Sequence, residues 1–527
     1  MKTFATLAVI ALAALQVFQV DARPHSSAKA STSAAPKVSQ SVNATANSPI
    51  NGHHHSTDPR ATAVKDAFLH AWNGYSKYAW GHDELLSPPL VTLSTKQCVC
   101  LAASIFDALD TLLIMGLDAE YEKALKHVAQ VDFNKSDQTS KVFETTIRYL
   151  GGLLSANDLR PNPMLVKQAI SVAETTVLPA FKTSDGIPAS YVNVTTREPV
   201  PGNSIDLAEF GSLQMEMTRL SQVTGNQTYA DIANAVIPKI QHTKSFPPQL
   251  YAMDWTLDPF KPDPYGTISI SGGGDSYYEY LLKNYLLLGQ TDKSLLSSWE
   301  TAVESMEKYL MQQEAYHDFT YLSQITNGTN YSTSGELICF LPGNVMLGAA
   351  FTNNKQFAQF GEKLMDGCVQ IWNGTETGIA PESFHWVPST DKKGNYTTEQ
   401  TAQDKKIGFF FATSEATYDL RPETLESLFY FYRLTGQSTW QDKAWTIFSA
   451  INKYCRTDSG FTSLDNVNDA SNPGLSNFQE SFFFAETLKY SYLVFADPSL
   501  ISLNEWVFNT EAHPYKLPKP IHVQKIN

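Results

Sequence analysis

Apolar side chains recur every three to four residues along most of this 527-residue chain, the spacing of one buried helix face. Such stretches lie near residues 61–80, 101–116, 119–130, 141–157, 163–182, 206–223, 228–241, 275–289, 291–313, 342–351, 354–372, 421–435, 437–454 and 477–495. The loops between them are rich in Gly, Pro, Asn and Thr, and short strands are expected at 187–194 and 383–387. The pattern predicts fourteen helices in seven consecutive pairs.

Acidic residues lie inside apolar, aromatic-rich blocks of this pattern. The blocks read SIFDALDTLLIMGL, VFETTIRYLGGLLSA, DLAEFGSLQMEMTRLS, GGGDSYYEYLLK, LRPETLESLFYFYRLTG, NFQESFFFAETLKYSYL and VFNTEAHP. A carboxylate in an apolar stretch is costly to bury without a partner. Most blocks start roughly 30 to 65 residues apart, about one helical hairpin, a period typical of solenoids and toroids. We therefore predict a ring of hairpins whose inner helices direct acids into one funnel; an open helical array is the alternative. Such a funnel would suit carboxylate chemistry or a bound cation.

One block combines an acid, an arginine and two glycines. Glu144 and Arg148 are four residues apart, so they are expected to pair on one helix face. An ordinary surface ion pair, worth about 0.3–0.5 kcal/mol, would explain this. Gly151 and Gly152 cost roughly 1 kcal/mol each inside a helix, which indicates that something approaches this face closely.

Three other blocks have ordinary local explanations as well. Asp275 follows three glycines at a helix start, where aspartate is a favoured N-cap, and Glu279 one turn later shares its face. Glu423 and Glu426 follow Pro422 at another helix start, where acids compensate the helix dipole. Glu480 ends a string that resembles a capping box.

Asp107 and Asp110 lack such an explanation. They lie in the middle of a helix among apolar residues such as Phe106 and Leu109. An unpaired acid is costly there, so a buried partner such as an arginine is expected.

The N-terminus indicates the secretory pathway. Lys2 precedes an apolar run over residues 4–20 and a small-residue cleavage site, so residues 1–22 are predicted to be a signal peptide. An uncleaved membrane anchor is the alternative, because the run approaches the length of the shortest spanning helix. Residues 23–60 are Ser/Ala-rich and are predicted to be a disordered linker. A helical domain is expected over 61–514, followed by a C-terminal tail over 515–527.

Composition agrees with a secreted glycoprotein. The net charge of -14 makes nucleic acid and anionic membrane surfaces poor partners. In an oxidising compartment disulfides are expected among the five cysteines, and the odd number leaves one over. Eight Asn-X-Ser/Thr sequons support glycosylation: Asn43, Asn134, Asn193, Asn226, Asn327, Asn330, Asn373 and Asn395.

Common catalytic motifs of other classes are absent from the sequence. There is no GxSxG, HExxH, P-loop or GxGxxG string, so esterases, zinc proteases and nucleotide enzymes have no support.

Six strings in this order resemble a known family: DALDTLLIMGL, FETTIRYLGGLLSA, GDSYYEYLLK, LRPETLES, ESFFFAETLKY and FNTEAHP. From about Ala61 to Pro514 the chain is similar to the class I α-1,2-mannosidases, glycoside hydrolase family 47, of the fungal secreted type. The resemblance implies an all-α (α/α)7 barrel, a toroid of helical hairpins with long loops and minor β-hairpins. It also implies a monomeric, Ca²⁺-dependent, inverting exo-glycosidase that removes terminal α-1,2-linked mannose from high-mannose N-glycans.

The resemblance also assigns roles to individual residues. Glu144, Asp275 and Glu423 would carry catalysis, with Glu423 as the base and either Glu144 or Asp275 as the acid. Thr510 would bind Ca²⁺ through its hydroxyl and carbonyl oxygens. Arg148 and Arg421, in the substrate pocket, would hold the catalytic carboxylates. The pocket acids Glu209, Glu426, Glu480 and Glu511 would contact sugar hydroxyls or calcium-bound water. Inversion requires two carboxyl groups about 6.5–9.5 Å apart, which separate hairpins can supply.

For the cysteines, the resemblance implies a disulfide between Cys339 and Cys368. Cys455 would then have Cys98 or Cys100 as its possible partner, and the sequence leaves this pairing open.

The chain departs from the family pattern at three positions. Glu336 stands where the family commonly has His, and Gln479 stands at a usually apolar place. Gly273 stands where members that trim a single mannose carry Arg. The missing side chain predicts a wider pocket, and hence removal of several mannoses.

Two other functions fit parts of the sequence. A non-catalytic mannose lectin of glycoprotein quality control on the same scaffold is disfavoured by the intact Glu144, Asp275 and Glu423. A different toroidal glycosidase, active on glucans, is disfavoured by the FNTEAHP string.

Overall fold

The computed structural model describes residues 56–86, 102–135 and 139–526. The predicted signal peptide, most of the predicted linker, Asn43, Cys98 and Cys100 lie outside these ranges. Within them, no helix combines the length and apolarity needed to cross a membrane.

Helices dominate the described part of the chain. The α-helices are α1 (Pro59–Tyr78), α2 (Ala103–Ile114), α3 (Asp118–Val128), α4 (Val142–Glu144), α5 (Gly151–Leu159), α6 (Pro163–Val172), α7 (Leu178–Ala180), α8 (Leu207–Gly211), α9 (Gln214–Thr224), α10 (Thr228–Asn234), α11 (Ile237–Gln241), α12 (Asp275–Leu287), α13 (Lys293–Ser305), α14 (Leu341–Thr352), α15 (Lys355–Asn373), α16 (Thr398–Ile407), α17 (Glu423–Thr435), α18 (Ser438–Tyr454) and α19 (Leu488–Phe495). Four π-helical segments adjoin them at Thr145–Leu150, Ala173–Val177, Met306–Leu310 and Phe483–Thr487. Two 3-10 turns lie at Glu336–Phe340 and Thr413–Glu415.

Seven inner helices of the described chain form a closed ring. Helix α2 packs against α5, and the contacts continue through α9, α12, α14 and α17 to α19. The π-helical segment before α19 packs back against α2, which closes the ring. Each inner helix packs against one outer helix, namely α3, α6, α10, α13, α15, α18 and α1 in the same order. The predicted (α/α)7 barrel is thus confirmed.

Inner and outer helices differ in burial as their positions require. Every residue of α2 is buried, and in α12 every residue except Asp275 is buried. The outer helix α3 instead buries one stripe, Tyr121, Ala124 and Val128, at helical spacing.

The glycine pair in the 142–156 block lies at a close contact between elements. A β-carbon on Gly152 would lie 2.4 Å from the carbonyl oxygen of Phe106 on α2. One on Gly151 would lie 2.8 Å from the amide nitrogen of Asn509. The close approach that Gly151 and Gly152 predicted is therefore a contact with other segments of this chain, at Phe106 and Asn509.

Short antiparallel strands connect the helices. They are β1 (Thr139–Lys141), β2 (Tyr191–Asn193), β3 (Glu198–Pro199), β4 (Ser204–Asp206), β5 (Asp254–Leu257), β6 (Phe260–Pro262), β7 (Thr267–Ile268), β8 (Met311–Gln313), β9 (Thr320–Leu322), β10 (Gln324–Thr326), β11 (Thr329–Tyr331), β12 (Thr333–Gly335), β13 (Ser383–His385), β14 (Arg456–Thr457), β15 (Gly460–Phe461), β16 (Trp506–Phe508) and β17 (Pro514–Lys516). Both predicted strand regions contain one, β2 and β13.

Several predicted helix boundaries are wrong. The 206–223 stretch is broken at Ser212, and 291–313 ends in strand β8. The stretch at 477–495 is helical only from Phe483. Its first residues are extended because Asn477 has a positive φ of 59° and Gln479 pairs with Leu85. The predicted capping box at 477–480 therefore does not form.

The cysteines of the described ranges include one disulfide. Cys339 and Cys368 are bonded, as predicted, and link the turn Glu336–Phe340 to α15. Cys455 is buried and has no disulfide partner among the described residues; its two possible partners, Cys98 and Cys100, lie outside them.

At its ends, the domain extends beyond the predicted limits of 61 and 514. Helix α1 begins at Pro59, and Tyr515 is fully buried. The backbone nitrogen of Ile526 donates to the carbonyl oxygen of Leu434 at 3.1 Å.

Candidate functional site

The ring encloses an acidic cavity of about 250 Å³. This acidic cavity is lined by nine carboxylic acids from several parts of the chain: Glu144, Asp206, Glu209, Asp275, Glu279, Glu423, Glu426, Glu486 and Glu511. Among the described residues only three cationic side chains line it, namely Lys141, Arg148 and Arg421. Its volume is just under the range of about 300–1,000 Å³ typical of pockets for drug-sized ligands, which suits a monosaccharide.

Arg148 organises one wall of the acidic cavity. Its Nε and Nη2 atoms contact Oε2 of Glu144 at 2.9 and 2.8 Å. Its Nη1 donates to Glu511 and lies 3.5 Å from Oδ2 of Asp107. The predicted Glu144–Arg148 pair is confirmed, and it belongs to a network that joins three distant parts of the chain.

Asp107 and Asp110 are held by a buried charge network beneath this wall. Asp110 lies 2.7 Å from Nδ1 of His513 and 2.9 Å from Nζ of Lys489. Burial opposes the charge, but Lys489 and His513 lower the pKa of Asp110 to about 2. Burial also opposes the charge of His513, but Asp110 and Asp107 raise its pKa above the usual value. Both acids therefore have the buried partners that were expected. Asp107 lies beside Arg148, and Asp110 contacts His513 and Lys489.

This network fixes the turn that carries Thr510 into the acidic cavity. Lys489 donates from Nζ to the carbonyl oxygen of Ala512 at 2.6 Å. Asn509 donates from Nδ2 to Glu216 at 2.9 Å. The backbone nitrogen of Thr510 donates to the hydroxyl of Tyr280 at 3.2 Å. Thr510 is therefore held by its backbone while it lines the acidic cavity.

Glu423 is paired with another acid. It is the first residue of α17, and Oε2 of both Glu423 and Glu336 is buried with no hydrogen-bond partner among the described residues. The carboxyl group of Glu336 lies close enough to perturb the pKa of Glu423. Thr424 donates to Oε1 of Glu336 from its hydroxyl at 2.8 Å. Burial and the neighbouring Glu336 raise the pKa of Glu423 well above its usual range.

Asp275 lies at the first position of α12, not at its N-cap. The N-cap is Gly274, and Oδ1 of Asp275 accepts the backbone nitrogen of Ser276 at 2.9 Å. Burial raises the pKa of Asp275 to about 7, although the Ser276 hydrogen bond lowers it. The N-cap explanation is therefore wrong, and a pKa of about 7 leaves Asp275 partly protonated near neutral pH.

Lys283 pairs with two of the acids that line the acidic cavity. Its fully buried Nζ donates to Glu279 and lies 3.2 Å from Oε1 of Glu426. Tyr490 also donates to Glu426 at 3.2 Å. Burial raises the pKa of Glu426 to about 7, and Lys283 opposes that shift.

All but one of the predicted site residues line the acidic cavity. The exception is Glu480, which lies near Arg148 and Arg421. Burial raises the pKa of Glu480 to about 7, although the positive charges of these two arginines lower it. Arg421 does line the acidic cavity, but it forms an ion pair with Glu382, at 2.9 Å from Nε to Oε2.

Sequence reasoning missed Lys283, Glu382 and Glu486. Lys283 and Glu486 lie in the same apolar blocks as the predicted acids, so the same signal pointed to them. Glu382 lies in a loop without periodic pattern, where no such signal exists.

The donor set of the acidic cavity fits a hard cation such as Ca²⁺, which prefers six to eight oxygen ligands and accepts water among them. Carboxylates outnumber cations there by nine to three, and Oε2 of Glu423 has no hydrogen-bond partner in the described chain. Within the described ranges, no three His, Cys, Asp or Glu side chains are arranged to hold a metal. A cation would therefore depend on Thr510 and on water held by the surrounding acids.

Comparison with known proteins identifies relatives over most of the chain. The family model for glycosyl hydrolase family 47 matches residues 67–517. The mannosyl-oligosaccharide α-1,2-mannosidase 1B of Aspergillus oryzae is 37% identical over 499 residues, covering 88% of this chain and 93% of that protein. The mannosyl-oligosaccharide α-1,2-mannosidase of Penicillium citrinum is 37% identical over 484 residues, covering 87% and 92%. The structure of α-1,2-mannosidase from Trichoderma reesei superposes with a TM-score of 0.83 at 36% identity, covering 88% of this chain and all of that one.

Proposed function

The chain belongs to glycosyl hydrolase family 47, and from that membership we propose that it hydrolyses terminal α-1,2-linked mannose from high-mannose N-glycans. The observation that carries the proposal is the small acidic cavity at the centre of the ring, with Glu144, Asp275 and Glu423 on three separate hairpins. A cavity of about 250 Å³ admits one terminal sugar, which supports exo-cleavage.

Glu423 acts as the general base in this proposal. Its raised pKa makes it a strong base once ionised, so it can take a proton from an attacking water. Because that water must fit between base and sugar, the mechanism we propose is an inverting one, which in general requires two carboxyl groups about 6.5–9.5 Å apart.

Either Glu144 or Asp275 supplies the proton to the leaving oxygen. Asp275 is favoured by its pKa of about 7, which keeps it protonated at mildly acidic pH. Glu144 is held by two contacts from Arg148, which fix its position. The two assignments are separable with α-mannosyl fluoride, whose leaving group needs no protonation. The variant of the true acid should lose activity on α-1,2-mannobiose but retain it on the fluoride.

Ca²⁺ is the cofactor we propose, bound directly by Thr510 through its hydroxyl and carbonyl oxygens. When bound, it would supply Lewis acidity and coordinate sugar hydroxyls, so that the ring is positioned. Glu209, Glu426, Glu480 and Glu511 would bind sugar hydroxyls or hold water around the ion. Tyr280 and Lys489 fix the backbone on either side of Thr510, which preorganises that residue.

A time course of mannose release tests the function. The protein should release mannose from α-1,2-mannobiose, lose activity with a chelator and regain it with Ca²⁺. Glu423→Gln should reduce kcat by about 10²–10⁴-fold, the usual contribution of a general base. Binding of mannose without any release would instead identify a lectin, and full activity of Glu423→Gln would refute the base assignment.

The setting we propose is the secretory pathway, with the protein secreted as a monomer. Of the seven sequon asparagines within the described ranges, six are exposed and Asn193 is partly buried, which supports glycosylation. An uncleaved N-terminal anchor in a secretory compartment is the alternative. Mass spectrometry of the mature N-terminus and of its glycans would decide between them.

A further inference from the structure

A second, larger cavity lies outside the acidic cavity and has a different chemistry. It measures about 760 Å³ and lies among β10, β11, β12, β13 and the loop after β13. We call it the amide groove, because Gln312, Gln324, Asn330, Asn395 and Gln400 line it. Among its fifteen described lining residues there is no lysine or arginine, and Asp391 is the one carboxylate.

Aromatic rings complete the lining of the amide groove. Tyr331 is 50% exposed, and Tyr396, Phe410 and the imidazole of His385 also line the groove. The His385 and Phe410 rings stack with their centroids 5.4 Å apart. Flat apolar faces beside amide donors and acceptors suit the apolar faces and hydroxyl groups of a sugar chain. The near absence of charge argues against a phosphorylated or nucleic acid ligand.

Part of this lining is held rigidly. Oε1 of Gln312 accepts hydrogen bonds from Ser332 at 2.8 Å and from the indole of Trp386 at 3.1 Å, which fixes the orientation of its amide. His385 is held by Glu415, with Nε2 2.8 Å from Oε1. Preorganised donors of this kind lose little entropy on binding.

The amide groove and the acidic cavity are joined by the same two strands. Thr333 pairs with His385 at the groove end of the β12–β13 ladder. At the other end the backbone nitrogen of Glu336 donates to the carbonyl oxygen of Glu382, the partner of Arg421 in the acidic cavity. Glu336 is three residues along the chain from Thr333, a distance on the order of 10 Å in an extended strand. A chain of a few sugars can therefore span both.

We propose that the amide groove binds the neutral, mannose-rich body of the oligosaccharide whose terminal residue enters the acidic cavity. The inference rests on the proposed function and adds the residues that select long glycans over short ones. It contrasts with the third cavity of the described chain, which is lined by Lys355, Glu362 and Lys525 and has no aromatic ring.

Tyr331→Ala is the primary test, because it removes the most exposed ring while leaving the Asn330 sequon intact. The ratio of kcat/KM for a nine-mannose glycan to kcat/KM for α-1,2-mannobiose should fall at least about fivefold, mainly through KM for the glycan. Gln324→Ala should lower the same ratio. Tyr265→Ala is the matched control, since Tyr265 is 71% exposed and lines none of the three cavities.

Direct binding gives a readout that does not depend on catalysis. A five-mannose glycan without α-1,2 linkages should show saturation transfer from the wild-type protein in NMR and less from Tyr331→Ala. Equal transfer together with an unchanged kinetic ratio would overturn the proposal. If the wild type does not cleave mannobiose but still binds this glycan through Tyr331, the proposed function fails while the groove stands.

The chain's own glycans have the same chemistry as this ligand, because Asn330 and Asn395 are sequon asparagines on the groove. The binding measurement is therefore repeated after enzymatic removal of the protein's N-glycans. Unchanged binding supports a substrate site. Binding that appears only after removal would mean that the groove holds the protein's own glycan, and would overturn the substrate role.

Discussion

Glu336→Gln should shift the acid limb of the pH profile of kcat/KM to lower pH. Glu336 and Glu423 face each other in a buried pair, and the neighbouring acid helps to raise the pKa of Glu423. A base is active only when ionised, so activity falls as the pH drops through this raised pKa. The substitution would remove the negative charge at this position and offer an amide donor to Glu423, and both changes favour the ionised form of the base.

The size of the shift follows from the proximity of the two groups. Two unit charges about 4 Å apart interact by about 4 kcal/mol at an effective dielectric constant of 20, which corresponds to roughly three pH units. Arg421 lowers the pKa of Glu423 in both proteins and is unaffected by the substitution. Coupling between two neighbouring carboxyl groups reduces the effect of the lost charge. We therefore expect a shift of about one to two pH units.

The assay is hydrolysis of α-1,2-mannobiose from pH 3 to 8 at saturating Ca²⁺. Glu336→Gln keeps Oε1 as the acceptor for Thr424, so the fold should be retained. Glu314→Gln is the control, because Glu314 is buried like Glu336 but lies outside the acidic cavity. The acid limb of the Glu314→Gln variant should match that of the wild type. An unshifted acid limb in Glu336→Gln would refute the coupling of Glu336 to Glu423.

Three further predictions concern stability and product pattern. Replacing Cys339 and Cys368 by Ser should lower the free energy of unfolding by about 3.6 kcal/mol, since the disulfide closes a loop with a sequence separation of 29, and a chemical denaturation curve that is unchanged would contradict this. Lys489→Met should cost about 3–5 kcal/mol, because Asp110 loses one of its two buried cationic partners and the carbonyl oxygen of Ala512 loses its donor, and calorimetry showing wild-type stability would refute that. Digestion of a nine-mannose glycan should remove several mannoses, since Gly273 leaves that side of the acidic cavity without a side chain; arrest at one eight-mannose isomer would contradict the wide pocket.

The helices of the ring were predictable because their burial is periodic. Outer helices such as α3 bury one stripe, and inner helices such as α2 are buried all round and mostly apolar, so both classes stand out from the loops. Breaks inside these stretches were not predictable. The kink at Ser212 and the extended start at Asn477 depend on contacts with distant segments, which local periodicity does not encode.

The site was predictable in part, because acidic residues within apolar segments of the sequence indicate buried acids. Glu144, Asp275 and Glu423 belong to acidic blocks of this kind and line one cavity. Their selection as catalytic residues came from the family resemblance, because the pattern alone also allowed an ion pair, an N-cap and helix-dipole compensation. The identity of their partners was not predictable. Glu382, which forms an ion pair with Arg421, lies in a loop without periodic pattern. Glu336 and Glu423 are 87 residues apart in sequence, and their proximity depends on how the ring packs the two elements that carry them.

Closure of the ring and assembly of the site depend on the same contacts. Arg148, from an early hairpin, contacts Asp107 on α2 and Glu511 near the C-terminus. His513 lies against Asp110, 403 residues away in sequence. These pairs join the first and last hairpins, and they also fix the wall and the turn that present Glu144 and Thr510 to the acidic cavity. A substitution that loosens the closure should therefore reduce catalysis and stability together, whereas one confined to an outer helix should affect stability alone.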